Sequence, residues 1–466
     1  MLTAIVYGSI FLMVLGALTG YVLTQNKVQS TETAATRATA IAEAGLEYYR
    51  WFLAHYPNDL QNGTGQSGPY LIPYNDPEGG ETGTIELSVT GNSSCGTITS
   101  IDIESKGMPA ENPSVSRTVT ARYARPSVAR YSYVLNDTVW AGPDRVINGP
   151  YHSNGGIRMD GASNSTVSSS LSSWLCTSNF GCYPNQTKAG VFGAGSGSAY
   201  WSYPVPQVDF AGITANLSQL KTKAQANGRY LLRFSSGNNT NNQSYWRGYH
   251  LIFNANGTVT ARRVSGTTQV NVEAPVNSTE GYNTERTIIS SETFYSTITF
   301  PSDCALLFVE DNTWIEGVID GKITLVVANV TNTGIDPNVI LLGNLTYEAT
   351  DGTDGLTVIG EKDILIAPNS PQNMTLNGIF VAQGGAFGRN RYVCPSSYEP
   401  RGTLTILGTT VSNLRTGTQW NGGCPGGAEA GYQVRYDNFH RKLSNDPPPF
   451  TPITSSDFEF VEWREN

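Results

Sequence analysis

Residues 2–23, LTAIVYGSIFLMVLGALTGYVL, contain no charged side chain. As a helix this segment is long enough to cross about 30 Å of hydrocarbon, so it belongs either in lipid or in a packed apolar bundle. No basic residue precedes it, whereas a secretory signal begins with a positively charged region. We therefore expect that a leader has already been removed from this chain.

The helical pattern continues beyond the apolar segment, because neither proline nor a turn cluster occurs from Thr3 to His55. Its later part has apolar residues at helical spacing on one side, which are Ile41, Leu46, Tyr49, Phe52 and Leu53. We predict one helix over residues 1–56, about 80 Å long at 1.5 Å per residue, with Tyr56-Pro57-Asn58-Asp59 as its stop signal. Its first half is uncharged, and its second half is docked on one side.

The stretch TRATAIAEAGLEYYRWFLAHYP resembles the Ala-Glu-Ala-Gly-x-Glu segment of large pilin-like proteins, here Ala42, Glu43, Ala44, Gly45 and Glu47. Together with the apolar segment, it makes residues 1–56 similar to the type IV pilin superfamily. The resemblance implies a homo-oligomeric helical filament outside the cell, whose subunits sit in the inner membrane before assembly. It also implies that the apolar half-helix packs in the fibre core through Ile5, Phe11, Leu15, Gly16 and Gly20.

Ile5 departs from the family pattern, since many pilins have a glutamate at the fifth mature residue that is thought to pair with a neighbour's terminal amine. Its loss is typical of tip subunits, so a minor tip pilin or adhesin is an alternative to a main filament subunit. A single-pass membrane anchor is the alternative for the whole segment. Gly16-x-x-x-Gly20 lets helices approach closely and suits either a fibre core or a membrane dimer.

A small β-rich head is predicted over residues 57–127. Residues 57–82 are rich in Gly, Pro, Asn and Asp and are expected to form a loop. Three alternating runs then predict the strands of a small antiparallel sheet packed on the helix, over 84–91, 97–107 and 117–124. Arg125-Pro126-Ser127 follows as a boundary.

Residues 128–466 form a large outer domain of short apolar runs separated by Gly, Asn and Asp, at intervals near 20 residues. This weak repeat predicts a β-solenoid like a parallel β-helix, and a β-sandwich is the alternative. Residues 145–161 fit another coil. Residues 217–232 contain one predicted helix, with Leu217, Leu220 and Ala224 on one face and Gly228 as its C-terminal stop. This helix and a hairpin around Asn256-Gly257 form an insertion near 215–300.

The outer domain also resembles the domain attached to some large bacterial pilin-like proteins, through residues 152–155, 317–324, 447–450 and Trp463. That resemblance implies how the domain is built, and it implies no catalytic activity. The fold class expected for the whole chain is α+β, with a long helix, a small antiparallel sheet and the solenoid.

The six cysteines show no zinc-binding spacing, and their even number predicts disulfides in an oxidising compartment. Cys176 with Cys182 would close a short loop, and Cys394 with Cys424 would clip a Gly-rich excursion. Cys95 and Cys304 remain, either as buried thiols or as a bridge between domains.

No catalytic, metal or cofactor motif is visible, and four scattered histidines do not suggest a metal site. His152 is interpreted as a structural hydrogen-bonding residue. A polysaccharide-cleaving enzyme on a membrane anchor would need paired carboxylates, for which Asp351 with Asp354 and Asp311 with Glu316 are the candidates. The Asp351–Asp354 segment is better explained as turn chemistry. We expect no enzyme and no cofactor.

The net charge of −9 and the lack of a basic run argue against nucleic acid as a partner. A surface glycan or another host or substrate ligand is the expected partner of the outer domain, whose expected role is adhesion or surface interaction. Asn-x-Ser/Thr sites also predict a glycan coat on the chain itself, at Asn62, Asn92, Asn136, Asn164, Asn185, Asn216, Asn238, Asn256, Asn277, Asn329, Asn344 and Asn373.

Overall fold

The computed structural model describes residues 2–56, 59–213, 215–227, 229–235, 245–279, 281, 283–331 and 336–465. The fold class is α+β, as predicted from the sequence. The chain divides into two compact units, and each is described by itself. Unit 1 comprises Met1–Ser93, Ile98–Ala124 and Phe458–Asn466, and unit 2 comprises Ser94–Thr97 and Arg125–Asp457.

The helices of the described residues are α1 (Leu2–His55), α2 (Phe210–Ile213), α3 (Leu217–Ala226) and α4 (Arg441–Asn445). The first half of the strands comprises β1 (Tyr70–Asn75), β2 (Glu81–Ser94), β3 (Thr97–Pro109), β4 (Arg117–Ala124), β5 (Tyr133–Leu135), β6 (Val139–Ala141), β7 (Arg145–Asn148), β8 (Tyr151–Ser153), β9 (Ile157–Met159), β10 (Ala162–Ser163), β11 (Val167–Ser169), β12 (Ser173–Cys176), β13 (Gln186–Ala189), β14 (Val191–Phe192), β15 (Trp201–Ser202) and β16 (Tyr230–Leu231).

The second half of the strands comprises β17 (Gly248–Phe253), β18 (Val259–Ala274), β19 (Thr284–Ile298), β20 (Leu306–Val309), β21 (Asn312–Ile319), β22 (Lys322–Val327), β23 (Val339–Tyr347), β24 (Gly355–Gly360), β25 (Ile364–Ile366), β26 (Met374–Ala382), β27 (Phe387–Gly388), β28 (Arg391–Tyr392), β29 (Arg401–Ser412), β30 (Gln419–Gly423), β31 (Glu429–Asn438) and β32 (Glu459–Glu465).

Unit 1 is the helix α1 docked on an antiparallel sheet with the strand order β1-β2-β3-β4-β32. The predicted runs are strands β2, β3 and β4. The loop predicted over 57–82 is wrong in part, because β1 lies within it. Pro73 makes this segment resemble a loop, but proline is tolerated in an edge strand, and β1 is at the sheet edge. The outer domain was predicted to run to residue 466, whereas β32 pairs with β4 in unit 1.

The docked half of α1 buries a single stripe against the sheet. The buried helix residues recur at steps of three and four, and they are Ala34, Ala38, Ile41, Ala42, Gly45, Leu46, Tyr49, Phe52 and Leu53. Small residues bring the helix close to β3. A Cβ atom added at Gly107 would lie 2.0 Å from the Ala38 carbonyl oxygen and 2.6 Å from the Ala42 nitrogen, so only glycine fits there.

Unit 2 consists mainly of short strands paired in parallel, one above the next. Strands β20, β22, β24, β26 and β29 pair successively in parallel, and a column of aligned residues crosses them, formed by Phe308, Val326, Ile359, Val381 and Val411. The column continues from Val411 to Val134 of β5 and then to His152 of β8. The early residues 133–153 therefore stack next to the late strand β29, out of chain order.

Two rows of asparagine amides connect successive turns of unit 2. In one row, Asn164 Nδ2 donates to Asn148 Oδ1 and Asn148 Nδ2 donates to Asn438 Oδ1, each over 2.9 Å. In the other row, Asn154 donates to Asn136 over 2.9 Å, and Asn136 donates to Asn413 over 2.8 Å. These bonds satisfy the polar side chains where the chain turns between strands.

The insertion contains the predicted helix as α3, with Leu220 and Ala224 buried, while its predicted stop at Gly228 lies outside the described residues. The hairpin around Asn256-Gly257 is confirmed. Leu251 pairs with Ala261 and Phe253 with Val259, and Gly257 has a φ of +70°.

Three disulfides join the cysteines of the described residues. Cys176 bonds to Cys182 and Cys394 to Cys424, which are the two pairings expected from the sequence. Cys95 bonds to Cys304, with Cα atoms 4.6 Å apart, and both lie in unit 2.

Candidate assembly surface

The first half of α1 has no protein covering it. Every residue from 3 to 33 is exposed, and burial begins only at Ala34. At 1.5 Å per residue the exposed segment is about 45 Å long. By length and composition, α1 is the one helix of the described residues that could cross a membrane.

Apolar side chains surround the helix on all sides up to residue 23, and residues 24–33 are polar apart from Val28. Its exposed large apolar residues are Ile5, Val6, Tyr7, Ile10, Phe11, Leu12, Met13, Val14, Leu15, Leu18, Tyr21, Val22, Leu23 and Val28. The first charged residue of the helix is Lys27, which directly precedes Val28, and the first acidic one is Glu32. A helix that is apolar around its whole circumference needs cover on every side, from lipid or from several other helices, whereas a single partner would cover one stripe.

The five residues predicted to pack in a fibre core all lie on this uncovered segment. Ile5, Phe11 and Leu15 are exposed by 69%, 65% and 47%. At 3.6 residues per turn these three and the two glycines fall within about one half of the helix circumference. A Cβ atom at Gly16 or Gly20 would meet no other atom within 4 Å, so the backbone there is open to close approach.

The carboxylates considered for catalysis are engaged in the structure. Asp351 is an exposed turn residue that accepts from the Thr353 N–H over 3.0 Å, and the Thr353 hydrogen bonds lower its pKa. Asp354 is buried and accepts from the Gly321 and Ala349 N–H groups over 2.7 and 2.6 Å. The bonds from Thr353 and Ala349 close the turn on itself, as the sequence indicated, and the bond from Gly321 ties it to a neighbouring turn.

Asp311 and Glu316, the other pair of candidate carboxylates, each contact different structural partners. Asp311 is buried, accepts from the Phe234 and Ser235 N–H groups over 3.0 and 2.9 Å, and has a pKa raised by burial. Glu316 contacts His250. The described residues contain no group of three or more acidic, histidine or cysteine side chains that could hold a metal ion.

His152 is buried between two polar partners. Its Nδ1 lies 3.0 Å from Ser168 Oγ and its Nε2 lies 3.0 Å from Asn154 Oδ1. Burial lowers the pKa of its imidazole, which favours the neutral ring. This environment is that of a structural hydrogen-bonding residue.

His250 is the histidine with charged partners. Its Nδ1 lies 2.8 Å from Glu292 Oε2 and its Nε2 lies 3.2 Å from Glu316 Oε1, while Arg262 pairs with Glu292 over 3.0 Å. Burial alone would lower the pKa of His250, but attraction to Glu316 and Glu292 outweighs burial and raises it. This group ties β17 to β19 and β21.

We expect His250 to stabilise unit 2 in acid and less so in alkali. Because its folded pKa is raised above the unfolded value of about 6.5, its contribution is fully present below pH 6.5 and is lost as the pH rises through the folded pKa. Each unit of raised pKa corresponds to about 1.4 kcal/mol. The measurement is the difference in unfolding free energy between the wild type and His250→Gln across pH 5.5 to 8.5.

His152→Gln provides a control of opposite sign, because the lowered pKa of His152 makes its contribution fall as the pH falls. A wild-type advantage over His250→Gln that grows with pH would contradict the assignment.

Two of the predicted glycan acceptor sites have buried side chains. Asn277 is 3% exposed and donates to Asp363, and Asn329 is 2% exposed. A glycan at either position would displace packed protein. Asn238 lies outside the described residues, and modification of the exposed sites stays a prediction.

No protein-family model and no curated protein matches this chain. Among solved structures, the chain is similar to the crystal structure of the competence-associated pilin ComZ from Thermus thermophilus. The match covers 93% of this chain and 98% of that one, at 13% sequence identity and a TM-score of 0.33.

Proposed function

We propose that this chain is a structural subunit of an extracellular type IV pilus-like filament. The observation that carries the proposal is the division of α1. The helix is apolar around its whole circumference up to residue 23, is uncovered up to residue 33, and is docked on its own sheet from Ala34 onward. Copies of the apolar half would cover one another in a filament core. Before assembly the same segment would sit in the inner membrane.

The outer unit 2 is proposed to be a parallel β-solenoid that the filament displays for adhesion or surface interaction. The successive parallel pairing of β20, β22, β24, β26 and β29 and the two rows of asparagine amides support a stack of coils. In a stack of this kind each coil pairs with its neighbours, and side chains on the outer surface are free to vary.

Two alternatives share the same helix. A tip subunit is favoured by Ile5, because no acidic side chain occurs in α1 before Glu32 to pair with a neighbour's terminal amine. A membrane anchor needs only lipid around the helix.

Fibres sheared from cells that make the chain, studied by electron microscopy and by protein composition, separate the main subunit, the tip subunit and the membrane anchor. A main subunit is the major protein of the fibres, a tip subunit is a trace component, and an anchored protein stays in the membrane fraction.

Close packing of α1 copies predicts a variant that separates filament from anchor. Gly16→Leu with Gly20→Leu keeps the segment apolar and favours helix, so retention in the membrane should be unchanged or stronger. The added side chains would hold neighbouring helices apart. We expect the yield of sheared filaments to fall at least about tenfold while the membrane-bound amount of subunit stays constant.

The matched control is Gly8→Leu, on the same exposed half of α1 but outside the Gly16-x-x-x-Gly20 pair. We expect a smaller loss from this change. Normal filament yield from the double variant would exclude close approach at this pair, and the absence of fibres from wild-type cells, with all of the chain in membranes, would favour the anchor.

A further inference from the structure

Unit 2 contains a cavity of about 850 Å³ between residues that lie far apart in the chain. One wall comes from residues around 137–145 and 179–180, and the other comes from 415–421 and 429–435. The volume is within the range of about 300 to 1,000 Å³ that is typical of small-ligand sites.

Two tryptophans line the cavity with their polar atoms already satisfied. Trp140 Nε1 donates to Asp160 Oδ2 over 2.8 Å, and Trp420 Nε1 donates to the Arg389 carbonyl oxygen over 3.0 Å. Trp420 also packs against the apolar cluster of Val276. Both rings are therefore fixed in place. The Arg158 guanidinium lies 4.1 Å from the centre of the Trp140 ring, so this ring offers a ligand only the surface that Arg158 leaves open, and Trp420 offers the surface outside its apolar contact.

The charged side chains that line the cavity sum to a slightly negative net charge. Arg435 is engaged by Asp144 through two contacts of 2.5 and 2.8 Å, and Arg145 is engaged by Asp437 over 2.6 Å. Arg415, Asp137 and Glu429 form no ion pair among the described residues, which leaves one positive and two negative groups. A polyanion such as a nucleic acid would meet repulsion here, since its binding needs an excess of basic side chains.

Arg415 is held at the cavity wall in a fixed direction. Its Nη2 donates to the Asn179 carbonyl oxygen over 3.2 Å, and its guanidinium lies 4.5 Å from the centre of the Phe180 ring. Burial lowers its pKa, against the attraction of Asp137. The remaining guanidinium N–H groups, with the exposed amides of Asn179 and Asn421, provide donors and acceptors at short range for hydroxyl groups.

We propose that this cavity binds a neutral oligosaccharide. The apolar face of a sugar ring packs on an indole ring. Its hydroxyl oxygens accept hydrogen bonds from the N–H groups of Arg415 and of the amides, and its hydroxyl groups donate to the carboxylates of Asp137 and Glu429. This ligand uses both the aromatic and the polar lining and brings no charge into a site whose free groups nearly cancel. Display on a filament, the proposed function on which this ligand role rests, would present the cavity to glycans, but binding itself needs no filament.

The test uses the full chain, unassembled in detergent micelles, and isothermal titration with a panel of neutral oligosaccharides built from hexoses and N-acetylhexosamines. A sulfated oligosaccharide and a DNA oligonucleotide serve as polyanion probes. We expect at least one neutral oligosaccharide to bind, and Trp140→Ala and Trp420→Ala each to weaken that binding at least about tenfold. Arg415→Gln should weaken it as well, and because Arg415 is only partly buried this variant serves if a tryptophan variant fails to fold.

Trp51→Ala, at an exposed position of α1 in unit 1, is the matched control and should leave the affinity unchanged. No binding across the neutral panel at 10 mM (about the weakest affinity of interest), binding of the polyanions alone, or equal affinity in all folded variants would each overturn the proposal. Because the chain is unassembled, none of these outcomes bears on whether it forms filaments.

Discussion

Lysine at positions 11 and 15 of α1 is expected to abolish filaments and to release the chain from membranes. Phe11 and Leu15 lie in the middle of the uncovered apolar half, 65% and 47% exposed in the single chain. A lysine at the centre of a membrane-spanning helix costs about 2.5 to 3.5 kcal/mol, so Phe11→Lys with Leu15→Lys costs about 5 to 7 kcal/mol. In a filament core the same charges would be buried without partners, which is also strongly unfavourable.

Filament yield after shearing and resistance to alkaline extraction of membranes measure the two effects. Thr36→Lys adds one lysine at an exposed position on the docked half of the helix and should change neither. Filaments of normal yield from the double lysine variant would contradict burial of this face. The double lysine variant disfavours burial of the helix in both lipid and a fibre core. The Gly16→Leu and Gly20→Leu variant disfavours only the close packing of neighbouring helices, so comparing the two separates these effects.

The sequence predicted the features of this protein that depend on local pattern. The 54-residue helix followed from uninterrupted helical spacing, and the hairpin at Asn256-Gly257 followed from its turn residues. Strands β2, β3 and β4 followed from alternation. The edge strand β1 was missed because its Pro73 obscures the strand pattern, and alternation does not reveal that the C-terminal strand β32 returns to β4.

The features that the sequence could not predict all depend on which distant segments meet. Strand β29 stacks on β5, although Val411 and Val134 are far apart in the chain, and no periodicity specifies that order. Trp140 and Trp420 line one cavity for the same reason. Each of these tryptophans alone resembles a surface or core residue, and only the stacking order of the strands brings them to one place.

A buried ion pair in unit 2 also depends on contacts between segments that are separate in the sequence. Its loss is expected to lower the unfolding free energy strongly. Arg389 and Glu399 both follow turn-like residues in the sequence, yet each side chain is 0% exposed, and Arg389 Nε lies 3.3 Å from Glu399 Oε1. Arg389 also donates to the Tyr398 carbonyl oxygen over 2.7 Å and to that of Pro368 over 3.1 Å. Glu399 Oε2 accepts from the Gly431 N–H of β31 over 2.6 Å, so the pair joins separate segments of the chain.

Arg389→Met is expected to lower the unfolding free energy of unit 2 by about 3 to 5 kcal/mol, because it leaves the Glu399 carboxylate buried without its counter-charge. Adding Glu399→Gln should restore part of the loss, with a coupling of about 1 to 3 kcal/mol, since the buried carboxylate charge is then removed. Urea unfolding with the disulfides intact, followed by near-ultraviolet circular dichroism, measures both. Arg391→Met is the matched control, because Arg391 pairs with Glu273 at the surface and such pairs contribute about 0 to 1 kcal/mol. If the two single variants lost equal stability, the buried pair would contribute no more than a surface one.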